Sequence, residues 1–244
     1  MPGKLYLVPT PIGNLQDITL RALDTLRNVN LIAAEDTRRA SILLRHFEIA
    51  KPTISYHDFN ERETAPKLVA KIMAGENVAL ITDAGSPGIS DPAFYLVREA
   101  IGHNIIVEAL PGPTALIPAL VLSGLPCHRF VFEGFPPAKK GRQTFFQALA
   151  TEARTIVLYE APHRIVATLE AVLKFWGDRR LALARELTKI HEEVWRGRVS
   201  ELLENLTQRT LKGECVLVIE GSPTQKVSHR QERDNGNEEA TQAE

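Results

Sequence analysis

Cysteine is nearly missing from this chain. Cys127 and Cys215 are the only two among 244 residues, and they lack the spacing of metal ligands, so neither a disulfide framework nor a zinc site is expected. Both read as packing residues. Long apolar runs are missing too: none reaches the roughly 18 residues needed to cross a bilayer. The amino terminus lacks the charged, apolar and small-residue pattern of a secretory signal, and its first apolar stretch already reads as a strand. A cytoplasmic protein is expected. Net charge is small, at −1, which argues against nucleic-acid binding through bulk charge and leaves that role to local clusters.

Several chemical signatures are absent as well. No G-x-G-x-x-G follows the first strand-like run and no G-x-x-x-x-G-K-[ST] occurs, which removes the usual dinucleotide and P-loop sites. No G-x-S-x-G elbow marks an esterase. His57, Asp58 and Glu61 could approach a metal, but a hydrogen-bonded polar cluster at a strand end is the favoured reading, and no metal is expected.

What the sequence does contain is an alternation of strand and helix patterns. Leu5–Val8, Leu31–Ala34, Thr53–Tyr56, Val78–Ile81 and Ile105–Ala109 read as strands. Helical patterns at Asp17–Val29, Arg38–Phe47, Arg62–Ala74, Pro92–Ile101 and Thr114–Leu122 separate and follow them, with Asp17 or Thr19 available to cap the first. A largely parallel sheet covered on both faces follows. Past Ser123-Gly124-Leu125-Pro126 a second series begins, with strands at Phe130–Glu133, Thr155–Tyr159, Leu181–Ala184, Glu193–Arg196 and Cys215–Ile219. Its helices are expected at Arg142–Ala150, Arg164–Phe175 and Ser200–Thr207, making a second α/β unit with a mixed sheet. The expected division is residues 1–122, residues 123–221 and a polar tail over 222–244. That tail sets three basic against five acidic residues and is too polar to offset its ordering entropy by burial, so it is expected to be disordered.

Three Gly- and Pro-rich loops stand directly after strands: Pro9–Asn14, Thr82–Pro92 and Pro111–Ala115. Any α/β protein needs such residues between strand and helix. Three of them on one edge of a parallel sheet would nonetheless make a pocket presenting main-chain groups to a ligand. Polar clusters also sit at strand ends: Glu35–Arg38, His57–Glu61, Tyr159–Arg164 and Arg185–Lys189. Acidic residues in a helix first turn have an ordinary explanation in the helix dipole, but four mixed-charge clusters together read as one polar cleft between two units. The basic loop Pro136–Arg142 is either a solvated surface loop or a phosphate grip.

With these motifs in hand, the chain resembles the bacterial small-subunit ribosomal RNA (cytidine 2'-O) methyltransferase family. Pro9-Thr10-Pro11-Ile12-Gly13-Asn14-Leu15, Ala34-Glu35-Asp36-Thr37-Arg38, the Asp83–Pro92 loop, Leu110-Pro111-Gly112-Pro113 and Glu133-Gly134-Phe135 carry the resemblance. Tyr159–Arg164, Arg185–Lys189 and Lys212-Gly213-Glu214 extend it to roughly residues 4 to 221. The family lies in the tetrapyrrole-methylase-like class, whose two α/β domains hold S-adenosylmethionine in the cleft between them, usually within a homodimer. The resemblance implies cofactor contacts from Pro11, Asp83, Ala84, Gly85, Ile89, Pro113, Thr114 and Ala115 in the first domain, and from Tyr159, Ala184 and Glu214 in the second. It implies methylation of a cytidine ribose in the decoding region of 16S rRNA, within the 30S subunit. Many members continue into a Lys-rich helical segment where this chain has its short acidic tail. Phosphate binding is then expected from Arg38, Lys139, Lys140, Arg142, His163, Arg164, Arg185 and Lys189. For the hydroxyl proton the candidates are His57, Glu35, Asp36 and Glu160, with His57 favoured for its near-neutral reference pKa. A tetrapyrrole-type methyltransferase and a non-catalytic cofactor- or RNA-binding module are the alternatives.

Overall fold

The computed structural model describes residues 1–206 and 211–223. The expectation for the polar tail falls almost entirely outside them. The first unit runs β1 (Lys4–Leu7), α1 (Leu20–Asn28), β2 (Leu31–Ala34), α2 (Thr37–His46), β3 (Thr53–Ser55), α3 (Glu61–Met73), β4 (Val78–Ile81), α4 (Phe94–Gly102) and β5 (Ile106–Ala109). Its five strands are all parallel, in the order β3-β2-β4-β1-β5. The central β2 and β4 are buried at every position, which is why they read as unbroken aliphatic runs rather than alternating ones. Leu26, Ile32, Leu44 and Ile81 fill one side of the sheet, beneath α1 and α2. Leu5, Leu68, Ile72, Leu80 and Leu96 fill the other, beneath α3 and α4.

The first helix starts later than its apolar pattern suggests. Leu15–Asp17 forms a short 3₁₀ turn capped by Asn14, and α1 begins only after Thr19, whose side chain accepts from the Ala22 amide. An N-cap hydroxyl of this kind satisfies an amide that the helix itself leaves unpaired.

The second unit contains β6 (Phe130–Phe132), α6 (Arg142–Ala148), β7 (Thr155–Glu160), α7 (Ile165–Trp176), β8 (Arg180–Arg185), β9 (Glu193–Arg198), α8 (Val199–Leu206) and β10 (Cys215–Ile219). The sheet is mixed, in the order β6-β7-β10-β8-β9, with only β6 and β7 parallel. One face packs Ile156, Leu158, Leu183 and Leu217 against α6, α7 and α8. The other face is covered by α5 (Leu116–Ser123), whose Ala119 and Leu120 pack with Val157, Ala184, Val216 and Val218. The expected division fell after this helix, at residue 122. By its packing α5 sides with the second sheet, and we place the division between the units in the loop after β5, near residues 110–115.

Candidate active site

The C-terminal ends of β4, β1 and β5 are neighbours in the first sheet, so the three Gly- and Pro-rich loops leave it side by side. They are also bonded to one another. Thr10 and Gly85 exchange two main-chain hydrogen bonds of 2.9 Å each, and the Thr10 hydroxyl donates to the Thr82 carbonyl at 3.1 Å. The Ser86 hydroxyl donates to the Pro113 carbonyl at 2.9 Å. Gly85 sits at φ 87, a left-handed conformation that glycine adopts without strain, so glycine suits this crossing.

Facing these loops are the ends of β7 and β10. Between them lies a cleft of about 360 Å³, within the range of small-molecule sites. Its apolar wall includes Ile12, Ile89, Phe135, Leu187 and Val216, and its polar groups include Glu35, Arg39, Asp83, Asp91, Tyr159 and Glu214. The acidic end is tightly organised. The Asp83 amide donates to Glu35 Oε2 at 3.2 Å, the Asp36 amide donates to Asp83 Oδ1 at 3.1 Å, and Arg39 pairs with Asp83 Oδ2 at 3.1 Å. Burial raises the Glu35 carboxyl above its ordinary pKa, with the neighbouring Asp83 charge adding to it against the Asp83 amide bond. Asp91 is pushed up to about 7, first by burial and then by the charges of Glu35, Asp83 and Asp58. Burial also raises the Tyr159 phenol, against the opposing influence of Thr114 and the Leu116 backbone.

Of the residues expected to hold a cofactor, Asp83, Ala84, Gly85, Ile89, Thr114, Ala115, Tyr159 and Glu214 line this cleft. Pro11 and Pro113 belong to its loops without lining it, and Ala184 is fully buried in the core behind it. Of the four proton-acceptor candidates, Glu35 and Glu160 line the cleft, whereas His57 and Asp36 do not. His57 Nδ1 is buried without a hydrogen-bond partner, and the ring meets the edge of Phe59 at 6.0 Å. Asp36 caps α2, accepting from the Arg38 amide at 2.8 Å and pairing with the Arg38 side chain, which holds its carboxyl well below the usual range. Glu160 is wholly inaccessible at its carboxylate: it accepts from the Ala161 amide at 2.9 Å, pairs with Arg164 at 3.2 Å and takes a hydrogen bond from Thr168. Arg39, Asp91, Phe135 and Leu187 escaped the sequence reading as site residues. Asp91, Phe135 and Leu187 lie inside motifs already singled out and Arg39 directly follows one, so membership of those motifs was the available signal.

The basic residues separate into two kinds. Arg142 donates to the Pro137 carbonyl at 3.1 Å and to Thr168 at 2.8 Å, and Arg164 donates to the Pro136 carbonyl. Both arginines thus hold the 136–142 loop from beneath. Lys139 and Lys140, on the same loop, are exposed. Arg185 is bonded to the Lys212 carbonyl and to Glu193, and Lys189 to Glu186 and Glu214. Arg38 extends into solvent, with 89% of its side chain accessible despite its pairing with Asp36, and His163 is exposed.

The sequence model of the tetrapyrrole (corrin/porphyrin) methylases matches residues 4–203. A protein of Synechocystis sp. named ribosomal RNA small subunit methyltransferase I is 54% identical over 233 residues, covering 94% of this chain and 84% of its own. A Thermotoga maritima protein of the same name is 45% identical, covering 90% of this chain and 99% of its own. Among solved structures, a Thermus thermophilus uroporphyrin-III C-methyltransferase complexed with S-adenosyl homocysteine superposes with a TM-score of 0.62 at 18% identity, covering 89% of this chain and 97% of that one.

Proposed function

This chain belongs to the tetrapyrrole methylase family and, within it, to the ribosomal RNA small subunit methyltransferase I group, and on that premise we propose that it methylates ribosomal RNA from S-adenosylmethionine. The finer reading is transfer to the ribose 2'-hydroxyl of a cytidine in the decoding region of 16S rRNA, in the cytoplasm, within the 30S subunit. The observation that supports it most is the cleft itself. Main-chain groups and apolar walls suit adenine and ribose, while Glu35, Asp83 and Asp91 at one end give the negative surroundings that a sulfonium favours.

When bound, S-adenosylmethionine supplies an electrophilic methyl group. The residues that would hold it are the 83–85 segment, Ile89, Thr114 and Ala115 from the first unit, with Tyr159, Leu187 and Glu214 from the second. Pro11 and Pro113 fix the loops, and Ala184 backs the wall. The protein's contribution is positioning: orientation alone supplies effective molarities up to about 10⁵–10⁸ M, and the bonded loops form a rigid base for it. Exposed Ile106 on the edge strand β5, and Ile117 and Val121 on α5, support a homodimer as the working form.

RNA enters over the second unit, where Lys139 and Lys140 meet phosphates and His163, Arg164, Arg185 and Lys189 supply the surrounding positive charge, with Arg38 on α2 adding to it from the first unit. Each single-strand phosphate contact contributes about 0.7 to the slope of log affinity against log salt. The Lys139→Ala, Lys140→Ala double variant is therefore expected to lower that slope by up to about 1.4 with cofactor affinity unchanged. An unaltered slope would remove the loop from the RNA path.

The reading is tested by transfer of labelled methyl from S-adenosylmethionine to 30S subunits isolated from cells lacking the protein, with free 16S rRNA and a uroporphyrin-type tetrapyrrole as parallel acceptors. Label in the rRNA is expected. Label in the tetrapyrrole alone would replace this reading with small-molecule methylation, and cofactor binding with no acceptor would replace it with a binding module.

A further inference from the structure

Methyl transfer to a ribose hydroxyl leaves a proton to be placed, and the cleft offers few groups able to take it. Glu35 and Asp83 are held by the amide and guanidinium contacts described above, and Glu214 is paired with Lys189 at 3.2 Å. The Glu160 carboxylate has no accessible surface. Burial pushes the Cys215 thiol up to about 12, and Tyr159 titrates above its ordinary range. His57 lies outside the lining.

Asp91 differs from all of these. It lines the cleft and is half-buried, and its carboxylate makes neither a hydrogen bond nor an ion pair among the described residues. It follows Ser90, which is held at φ 68, a left-handed conformation uncommon for a residue with a Cβ, where the loop turns toward α4. The charged groups facing it are Glu35 at the end of β2, Asp83 at the end of β4 and Asp58 after β3, with Tyr159 across the cleft.

We propose that Asp91 is the general base of the reaction, an assignment that rests on the methyl-transfer reading above. The ribose O–H proton passes to the Asp91 carboxylate as the oxygen–methyl bond forms, while the methyl–sulfur bond breaks with its electron pair going to sulfur. A sulfonium and a carboxylate thus become a neutral thioether and a neutral carboxylic acid. Because burial and like charge hold this carboxyl near neutrality, it is largely ionised just above pH 7 and still basic enough to take the proton, the condition under which general-base catalysis works best.

The test compares Asp91→Asn and Asp91→Glu with wild type in single-turnover transfer across pH 5.5–8.5, alongside cofactor and RNA affinities and the melting temperature of the cofactor-free protein. Wild-type rate is expected to rise with pH through a midpoint near 7 to a plateau above about 8. Asp91→Asn is expected to lose about 10²–10⁴-fold with that rise abolished and RNA affinity kept, and Asp91→Glu to recover part of the rate. The cofactor-free readout has a definite sign. An acid whose folded pKa is raised binds its proton more tightly when folded, so wild-type stability falls as pH climbs from about 4 to 7. The melting temperature of Asp91→Asn should therefore gain on wild type between pH 5 and 8. A single-turnover rate within about threefold of wild type, or a melting-temperature difference that does not change with pH, overturns the assignment. Should wild type itself label no RNA, the methyl-transfer reading fails instead.

Discussion

Replacing Glu160 by alanine is expected to cost the second unit about 3–5 kcal/mol, the usual loss when one partner of a buried ion pair is removed. The carboxylate is the hub joining the end of β7 to α7. It accepts from the Ala161 amide, from Arg164 and from Thr168, and Thr168 in turn accepts from Arg142 at 2.8 Å. Removal leaves the Arg164 guanidinium, only 23% exposed at its side chain, without its counter-charge. Two loop carbonyls, those of Pro136 and Pro137, would then be held by arginines no longer anchored at their base. Glu160→Gln should lose less, because the amide fills the same volume and still accepts from Thr168. Denaturant unfolding of the three proteins measures the difference. A loss below about 1 kcal/mol for the alanine variant, the level of an exposed pair, would mean that the network does not hold the loop.

The second large effect is functional. Gly112→Ala is expected to weaken cofactor binding about 10- to 100-fold while leaving the overall fold intact. A Cβ at Gly112 would stand 2.6 Å from Pro9 Cβ and 2.9 Å from Pro9 Cγ, and a proline ring cannot rotate away. Relief must come from movement of the loops after β1 and β5. Overpacking of this kind costs about 1–3 kcal/mol, and each 1.4 kcal/mol is a factor of ten in affinity. Pro9 precedes Thr10, which is doubly bonded to Gly85, so displacement reaches the cofactor wall. Gly102→Ala is the control, since nothing lies within 4 Å of its Cβ. Calorimetric titration with S-adenosylmethionine decides the matter, and wild-type affinity in Gly112→Ala would show that the loops are not rigidly coupled.

Local pattern carried much of this architecture. Leu31–Ala34, Val78–Ile81 and Cys215–Ile219 appear as strands with the expected limits because each is a short aliphatic run bounded by polar or turn residues. The three loops were legible for the same reason. Their adjacency was not, since it depends on β1 lying between β4 and β5. The α5 segment, Leu-Ile-Pro-Ala-Leu-Val-Leu-Ser, is apolar nearly all round, so its pattern does not say which sheet it covers. Side-chain partnerships were the least visible. Arg142 looks like a phosphate ligand beside Lys139 and Lys140 until Thr168 is found against it, 26 positions away. His57 has a suitable reference pKa but stands outside the cleft, whereas Asp91 acquires its near-neutral pKa only from burial and from charges that three other strand ends bring to it.

The central claim is methylation of a ribose oxygen, and nucleoside mass spectrometry of rRNA from the transfer reaction addresses it most directly. RNA labelled by this protein is digested to nucleosides, and the position of the new methyl group is read from the fragmentation of sugar and base. The account predicts one new 2'-O-methylcytidine, located in the decoding region and absent when S-adenosylmethionine is omitted. A methyl group on a base, or rRNA left unmodified beside a methylated tetrapyrrole, would contradict it.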